Sequence, residues 1–198
     1  MDIQKTAVIG SGTMGSGIAQ VFALAGLEVI LIDVEAKQLE RAKGGIEKSL
    51  ARQVEKGKIE AAGKDAALSR IATTTDYAAI SGADLVVEAV SEDKEVKRKV
   101  VGMIEEQVGD DCIIASNTST ISLSEIAGFA ESPQRVIGMH FMNPVPVMKL
   151  VEVITALQTD EAVKDAVAAV TERIGKTPVV VTDSPGFVLN RVLIPMIN

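Results

Sequence analysis

The fold is decided by one short stretch, Thr6-Ala7-Val8-Ile9-Gly10-Ser11-Gly12-Thr13-Met14-Gly15. A β-branched run leads into the spacing Gly-x-Gly-x-x-Gly and an apolar helical pattern follows, which predicts a first strand-to-helix turn. Because glycine has no Cβ, Gly10 can make the tight turn, Gly12 lets the backbone approach a pyrophosphate, and Gly15 lets the helix pack closely on the strand. The free N–H groups of the turn would face the phosphates, so all six residues from 10 to 15 are candidate ligand contacts. The alternative interpretation is that these glycines only form the turn and bind no ligand.

An acidic residue supports the ligand-binding interpretation. Residues 28–33 read as a second buried strand that ends in Asp33, 23 positions after Gly10. The dinucleotide fingerprint places a carboxylate there to bind the ribose 2′-hydroxyl. An acid at this position repels a 2′-phosphate, so we predict NAD as the cofactor and consider NADP the less favoured one. The alternative interpretation is that Asp33 is a solvated acidic residue in a loop and has no role in cofactor binding.

The composition excludes several classes of protein. The 198 residues are 47% hydrophobic, which suits a packed core, and the net charge of −7 argues against a nucleic-acid partner. Cys112 is the only cysteine and lies in an apolar run, so we expect a buried strand residue and predict no metal site and no disulfide within the chain. Without a leader segment or a membrane-spanning run, the expectation is a cytoplasmic protein with no membrane partner.

Alternating strand and helix patterns through residue 119 predict a Rossmann-type, doubly wound, mostly parallel α/β sheet. Residues 1–184 form the dinucleotide-binding domain in this interpretation. Helical patterns over 35–57 and 58–69 make one crossover unusually long, and this helical arm, residues 35–69, either faces a ligand or is a solvated surface. The strands at 135–141 and 148–154 are too close for a parallel crossover, which predicts an antiparallel pair at the C-terminal edge.

A candidate proton-transfer pair lies on these two strands. A turn centred on Pro146 places His140 and Glu152, six residues to either side, roughly opposite each other. A carboxylate that holds one imidazole nitrogen leaves the other free to exchange a proton with a substrate. A lone histidine is otherwise more often structural, but the pairing favours general acid/base chemistry coupled to hydride transfer.

Two further segments have an unusual composition, one polar and one apolar. The cluster Ser116-Asn117-Thr118-Ser119-Thr120 follows a buried strand, where ligands of open sheets bind, although turn and N-cap roles are the alternative. Residues 183–198 read as a helix with proline early in it and apolar side chains nearly all round. A helix that is apolar on nearly every side needs packing partners on several sides.

Together, the glycine turn, Asp33 and residues 86–92, 116–119, 140–152 and 185–191 resemble the short-chain 3-hydroxyacyl-CoA dehydrogenases, nearest to the bacterial 3-hydroxybutyryl-CoA branch. The resemblance covers the whole chain, and the motif from His140 to Glu152 is its most specific part. It implies an NAD-dependent enzyme of fatty-acid and butyrate metabolism that interconverts a short 3-oxoacyl-CoA and the (S)-3-hydroxyacyl-CoA. It also implies that residues 185–198 begin an all-helical C-terminal domain, which this sequence truncates, and that a homodimer forms through that domain.

The resemblance assigns roles to individual residues. It makes His140 the general acid/base and Glu152 its orienting partner, and it assigns Ser119 and Asn190 to the substrate's 3-oxygen. The family's nicotinamide and ribose contacts match Glu92, Lys97, Ser119 and Asn143, and its coenzyme A contacts match Ser49 and Lys56. A dehydrogenase of another hydroxy acid, such as gulonate, and a non-catalytic dinucleotide-binding module are the alternatives.

Overall fold

The computed structural model describes residues 2–197. Eight strands form one sheet in the order β3-β2-β1-β4-β5-β6-β7-β8. All neighbouring pairs are parallel except β6 and β7, so the last two strands run against the others. The strands are β1 (Lys5–Ile9), β2 (Glu28–Ile32), β3 (Ile71–Thr74), β4 (Leu85–Glu88), β5 (Ile113–Ser116), β6 (Val136–Phe141), β7 (Leu150–Thr155) and β8 (Thr177–Thr182).

Helices cover both faces of the sheet, and alternate strand residues point to one face or the other. Val8, Val87 and Met139 pack on the first face, while Ala7 and Val86 pack on the second. Helices α1, α2 and α6 lie on the first face, and α4 and α5 lie on the second. The helices are α1 (Thr13–Leu24), α2 (Ala36–Glu55), α3 (Ala61–Ser69), α4 (Lys94–Glu105), α5 (Leu123–Ala127), α6 (Glu161–Arg173) and α7 (Leu189–Ile197), and short 3-10 helices span Tyr77–Ile80 and Pro133–Arg135.

This architecture confirms the predicted Rossmann-type sheet with antiparallel strands at its C-terminal edge. Helix α2 runs unbroken through the glycine pair at 44–45 and packs through an apolar stripe that includes Leu39, Ile46 and Leu50. The sequence analysis missed the short helix α5. Its signal was a Ser-x-x-Glu pattern at 122–125, in which the Ser122 side chain accepts a hydrogen bond from the Glu125 N–H.

The predicted start of the last helix was wrong. Helix α7 begins at Leu189 rather than near Asp183. The reason is the backbone of Gly186 and Phe187, whose φ angles of +76° and +50° lie in the left-handed region and cannot continue a right-handed helix. Pro185 therefore lies in a turn before the helix.

Two glycines of the first turn are required by packing. A Cβ on Gly15 would lie 1.7 Å from the Gly10 carbonyl oxygen, and a Cβ on Gly10 would lie 2.7 Å from the Ala89 carbonyl oxygen. Gly12 differs, because a Cβ there would meet nothing within 4 Å. The outer glycines therefore close helix α1 onto the sheet, while the middle one leaves open space above the turn.

We expect Gly15→Ala to destabilise the protein by about 3 kcal/mol or more, since the clash is with backbone that cannot move away. Gly44→Ala is the matched control, because Gly44 also lies within a helix and a Cβ there meets nothing within 4 Å. It should stabilise the protein by roughly 0.5–1 kcal/mol. Urea unfolding followed by circular dichroism measures both, and equal stabilities of the two variants would contradict the packing role of Gly15.

Candidate functional site

The carboxyl ends of β1, β4 and β5 meet at one edge of the sheet. The strand order diverges between β1 and β4, and ligands of open α/β sheets bind outside the strand ends at such a switch point. A cleft of about 350 Å³ opens there beside the glycine turn. Its lining residues are Ile9, Gly10, Gly12, Asp33, Val34, Tyr77, Ala89, Val90, Ser91, Val96 and Val100.

The start of helix α1 fits a pyrophosphate. Gly12 is the N-cap residue, and within residues 2–197 no side chain caps this helix. The first-turn N–H groups are therefore left for a ligand, and the open space above Gly12 admits one. The predicted positions at Ser11, Thr13 and Met14 belong to the same turn.

Asp33 lies at the carboxyl end of β2 and faces the cleft. One of its oxygens accepts hydrogen bonds from the Ser11 N–H at 2.8 Å and the Ser11 hydroxyl at 2.7 Å. Burial alone would raise the pKa of Asp33, but these bonds, with those from the backbone of Glu35 and Val34, outweigh it and lower the pKa. The group is thus a fixed anionic acceptor of the kind that a ribose hydroxyl requires.

Glu92 organises the polar loop after β5. Its Oε1 accepts from the Thr118 hydroxyl at 2.5 Å, the Ser119 N–H at 2.8 Å, and both the N–H and the hydroxyl of Thr120. Burial raises the pKa of Glu92, but the Thr118 hydroxyl, the Lys97 charge and the loop N–H groups together lower it. The sequence analysis named Glu92 and this loop as separate features, and in the structure hydrogen bonds connect them.

Lys97 is buried rather than exposed to the cleft. Its side chain is 1% exposed, and its Nζ donates to the two carboxylate oxygens of Glu88 at 2.7 and 2.9 Å. It also lies 3.4 Å from Oε2 of Glu92. The resemblance assigns Lys97 to the nicotinamide and ribose site, and in the structure its ammonium group contacts the carboxylates of Glu88 and Glu92. The sequence analysis did not single out Glu88, although an acidic residue inside an apolar strand indicates that a buried group of opposite charge lies nearby.

His140 and Glu152 are direct partners in the β6–β7 pair, as predicted. Nδ1 of His140 lies 2.8 Å from Oε2 of Glu152, and both side chains are buried. The second carboxylate oxygen, Oε1, accepts from the N–H groups of Val188 and Leu189 at 3.0 and 2.8 Å. None of the hydrogen bonds found between residues 2–197 involves Nε2 of His140, so that nitrogen can exchange a proton with a ligand.

The remaining candidate residues fall into two groups. Ser119 and Asn190 are neighbours, because the Asn190 side chain donates to the Ser119 carbonyl oxygen at 3.2 Å. Ser49 on α2 and Asn143 both line a second cavity of about 170 Å³, which lies between α1, α2 and the β6–β7 connection. Lys56 is exposed at the C-terminal cap of α2, two helical turns after Ser49, so both residues lie on one face of the arm.

Asp183 is a supporting residue that the sequence analysis did not assign to the site. Its Oδ2 accepts from the Ser122 hydroxyl at 2.6 Å and the Ser124 N–H at 2.9 Å, which ties the end of β8 to helix α5. No spacing rule brings residues 122 and 183 together, so the sequence held no signal for this contact.

Among residues 2–197, no group of three or more His, Cys, Asp or Glu side chains is arranged to hold a metal ion. That same part of the chain contains no helix with the length and apolar character needed to cross a membrane.

The fold and the cleft together define a dinucleotide-binding domain of the dehydrogenase type. Residues 5–184 match the 3-hydroxyacyl-CoA dehydrogenase, NAD binding domain. The chain belongs to the 3-hydroxyacyl-CoA dehydrogenase family, which confirms the resemblance seen in the sequence. Its cofactor is accordingly a nicotinamide dinucleotide.

Named relatives and solved structures agree with this assignment. The chain is 46% identical to a 3-hydroxybutyryl-CoA dehydrogenase of Clostridioides difficile over 98% of this chain and 69% of that protein. It is also 46% identical to a fatty acid oxidation complex subunit alpha of Psychrobacter cryohalolentis, of which it spans 27%. The crystal structure of (S)-3-hydroxybutyryl-CoA dehydrogenase from Ralstonia eutropha superposes with a TM-score of 0.98 at 44% identity, over all of this chain and 70% of that one.

Asp33→Ala should weaken NADH binding by about 10- to 100-fold, because the ribose hydroxyls lose a charged acceptor. The same change should narrow the difference between NADH and NADPH, since the repulsion of a 2′-phosphate disappears. Calorimetric titration with both coenzymes measures the two effects. Asp65→Ala removes an exposed acid on α3 and is the control, and an Asp33 variant that binds both coenzymes like this control would exclude Asp33 from the site.

Asp183 should stabilise the fold in a pH-dependent way. Burial raises the pKa of Asp183, but the Ser122 and Ser124 hydrogen bonds outweigh it, so the folded-state pKa lies below the ordinary 3.8. Its contribution is therefore present above that value and is lost as the pH falls through the folded-state pKa. In thermal unfolding, we expect Asp183→Asn to be less stable than the wild type at pH 6, and this difference in stability to narrow progressively as the pH falls below about 3.8. A gap that stays constant down to pH 3 would contradict this.

Proposed function

We propose that this chain is the coenzyme-binding and proton-transferring part of an NAD-dependent 3-hydroxyacyl-CoA dehydrogenase. The reaction interconverts a short 3-oxoacyl-CoA, such as acetoacetyl-CoA, and the (S)-3-hydroxyacyl-CoA, 3-hydroxybutyryl-CoA. The observation that carries the proposal is the buried His140–Glu152 pair, in a domain whose cleft suits a dinucleotide. The names of the relatives supply the substrate class and the stereochemistry.

The residues of this chain can manage the proton of such a reaction. When bound, the nicotinamide supplies hydride-transfer chemistry at C3 of the substrate. In the reducing direction, protonated His140 gives the proton on Nε2 to the oxygen that develops negative charge, and the carboxylate of Glu152 stabilises the imidazolium through Nδ1. Ser119 and Asn190 would donate hydrogen bonds to that oxygen. In the oxidising direction, neutral His140 takes the proton back.

Two features support the choice of ligands. The anionic Asp33 at the ribose position favours NAD over NADP. The acyl-CoA would lie across the face of α2 that carries Ser49 and Lys56, where an exposed ammonium group suits the phosphates of coenzyme A. Ser49 shares its cavity with Asn143, which supports an acyl-CoA position on the arm next to the proposed nicotinamide site.

The domain organisation belongs to the same proposal. We assign residues 1–184 to the dinucleotide-binding domain and residues 185–198 to the start of a helical domain that would close over the acyl-CoA and form a homodimer in a cytoplasmic enzyme. The exposed apolar side chains of α7 support this assignment, since Val192, Met196 and Ile197 are 56%, 76% and 71% exposed.

The direct test is NADH oxidation with acetoacetyl-CoA, compared with free acetoacetate and with gulonate oxidation by NAD. The proposal expects turnover with the thioester only. Activity with gulonate or free acetoacetate but not with the thioester would assign the domain to another hydroxy acid. NADH binding without turnover of any of these substrates, in a protein that includes a C-terminal domain, would indicate a non-catalytic module.

Glu152→Gln should lower kcat by about 100- to 10,000-fold and leave the affinity for NADH nearly unchanged. The amide keeps the shape of the side chain but removes the charge that supports His140 as an imidazolium. Glu28→Gln, at the exposed amino end of β2 on the opposite edge of the sheet, is the control and should keep wild-type kinetics. Full activity of Glu152→Gln would refute the paired roles.

A further inference from the structure

Phe187 has an unusual backbone conformation for a bulky residue. Its φ of +50° lies in the left-handed region, directly after Gly186 at +76°. A side chain with a Cβ is strained there, so the conformation persists only where surrounding contacts hold it, and such residues cluster around functional groups. The Phe187 side chain is 1% exposed and packs in the second core, on the face of the sheet opposite to Met139 and Phe141.

The segment that begins with this strained residue contacts both members of the proton-transfer pair. The centroid of the Phe187 ring lies 5.7 Å from that of the His140 imidazole, at an interplanar angle of 58°. The next two residues along the chain, Val188 and Leu189, donate their N–H groups to Oε1 of Glu152. The other oxygen of the same carboxylate binds Nδ1 of His140. One short segment therefore packs on the imidazole and binds the carboxylate that orients it.

We propose that Phe187 is a positioning residue for His140. The left-handed turn places the aromatic ring against the imidazole and, in the same step, directs the following two N–H groups at Glu152. With Oε1 held by these groups, Oε2 is left to accept from Nδ1, which keeps the proton of neutral His140 on Nδ1 and leaves Nε2 free. The ring blocks rotation of the imidazole away from this hydrogen bond. The kinetic consequence rests on the proposed function, whereas the structural consequence does not.

A purely structural role for Phe187 makes a different prediction. Filling of the core would change the stability of the protein but not the position of a proton on an imidazole. His140 is the only histidine in the chain, so its ring nitrogen signals in nuclear magnetic resonance are unambiguous. The nitrogen shifts of the neutral ring report which tautomer is present, and this readout is independent of catalysis.

The test compares the wild type with Phe187→Leu and Phe22→Leu. Phe22 is a matched control, because it is also fully buried, but it packs on Phe141 on the other face of the sheet. We expect one tautomer, protonated on Nδ1, in the wild type and in Phe22→Leu, and a mixture of both tautomers in Phe187→Leu. Relative to the control, kcat of Phe187→Leu should fall roughly 10- to 100-fold, while the KM for NADH changes by less than about twofold.

A single Nδ1-protonated tautomer in Phe187→Leu, with a kcat equal to that of the control, would overturn the proposal. If Phe187→Leu does not fold, Phe187→Met keeps most of the volume and is judged by the same criteria. If a wild-type protein that includes a C-terminal domain shows no turnover of acetoacetyl-CoA, the proposed function fails, but the tautomer comparison still decides whether Phe187 holds His140.

Discussion

The close approach of helix α1 to strand β1 is the constraint on which the rest of the structure depends. The turn between them also joins three strands. The Gly10 N–H donates to the Ile32 carbonyl at the end of β2, and the Ala89 N–H, just after β4, donates to the Ile9 carbonyl at the end of β1. These bonds hold the path of the backbone across the switch point, and side chains at positions 10 and 15 would clash with backbone atoms along it. The same geometry directs the N–H groups of α1 into the cleft.

Around this turn, the acidic groups of the site are held by hydrogen bonds within the protein. Asp33, Glu92 and Glu152 each bind backbone N–H groups, and Glu88 binds the buried Lys97. Burying a carboxylate costs free energy unless such partners satisfy it. Because these partners come from the protein itself, the acids are oriented before any ligand arrives, and binding does not have to pay the full entropic cost of ordering them.

Much of this arrangement could be predicted from the sequence, because it depends on short spacings. The glycine turn and Asp33 lie within one strand–helix–strand unit, and His140 and Glu152 lie on two strands joined by a short connection. The contacts that escaped prediction join distant segments, such as Asp183 with Ser122 and Phe187 with His140. Helical periodicity through residues 183–198 concealed the left-handed turn, since the pattern of apolar residues carries no information about a φ angle at Phe187. The burial of Lys97 was missed for a related reason, because it depends on Glu88 in a neighbouring element.

The antiparallel pairing of β6 with β7 has a consequence for how the site can vary. His140 stands opposite Glu152, and the residues on either side of Glu152 are Val151 and Val153, which point to the other face of the sheet. A shift of one residue in this pairing would replace the carboxylate with a valine methyl group and bury Glu152 in the apolar first core. The pairing of His140 with Glu152 therefore depends on the register of β6 against β7. A new connection engineered between residues 141 and 150 must keep Glu152 opposite His140 on the same face of the sheet, whatever its own sequence.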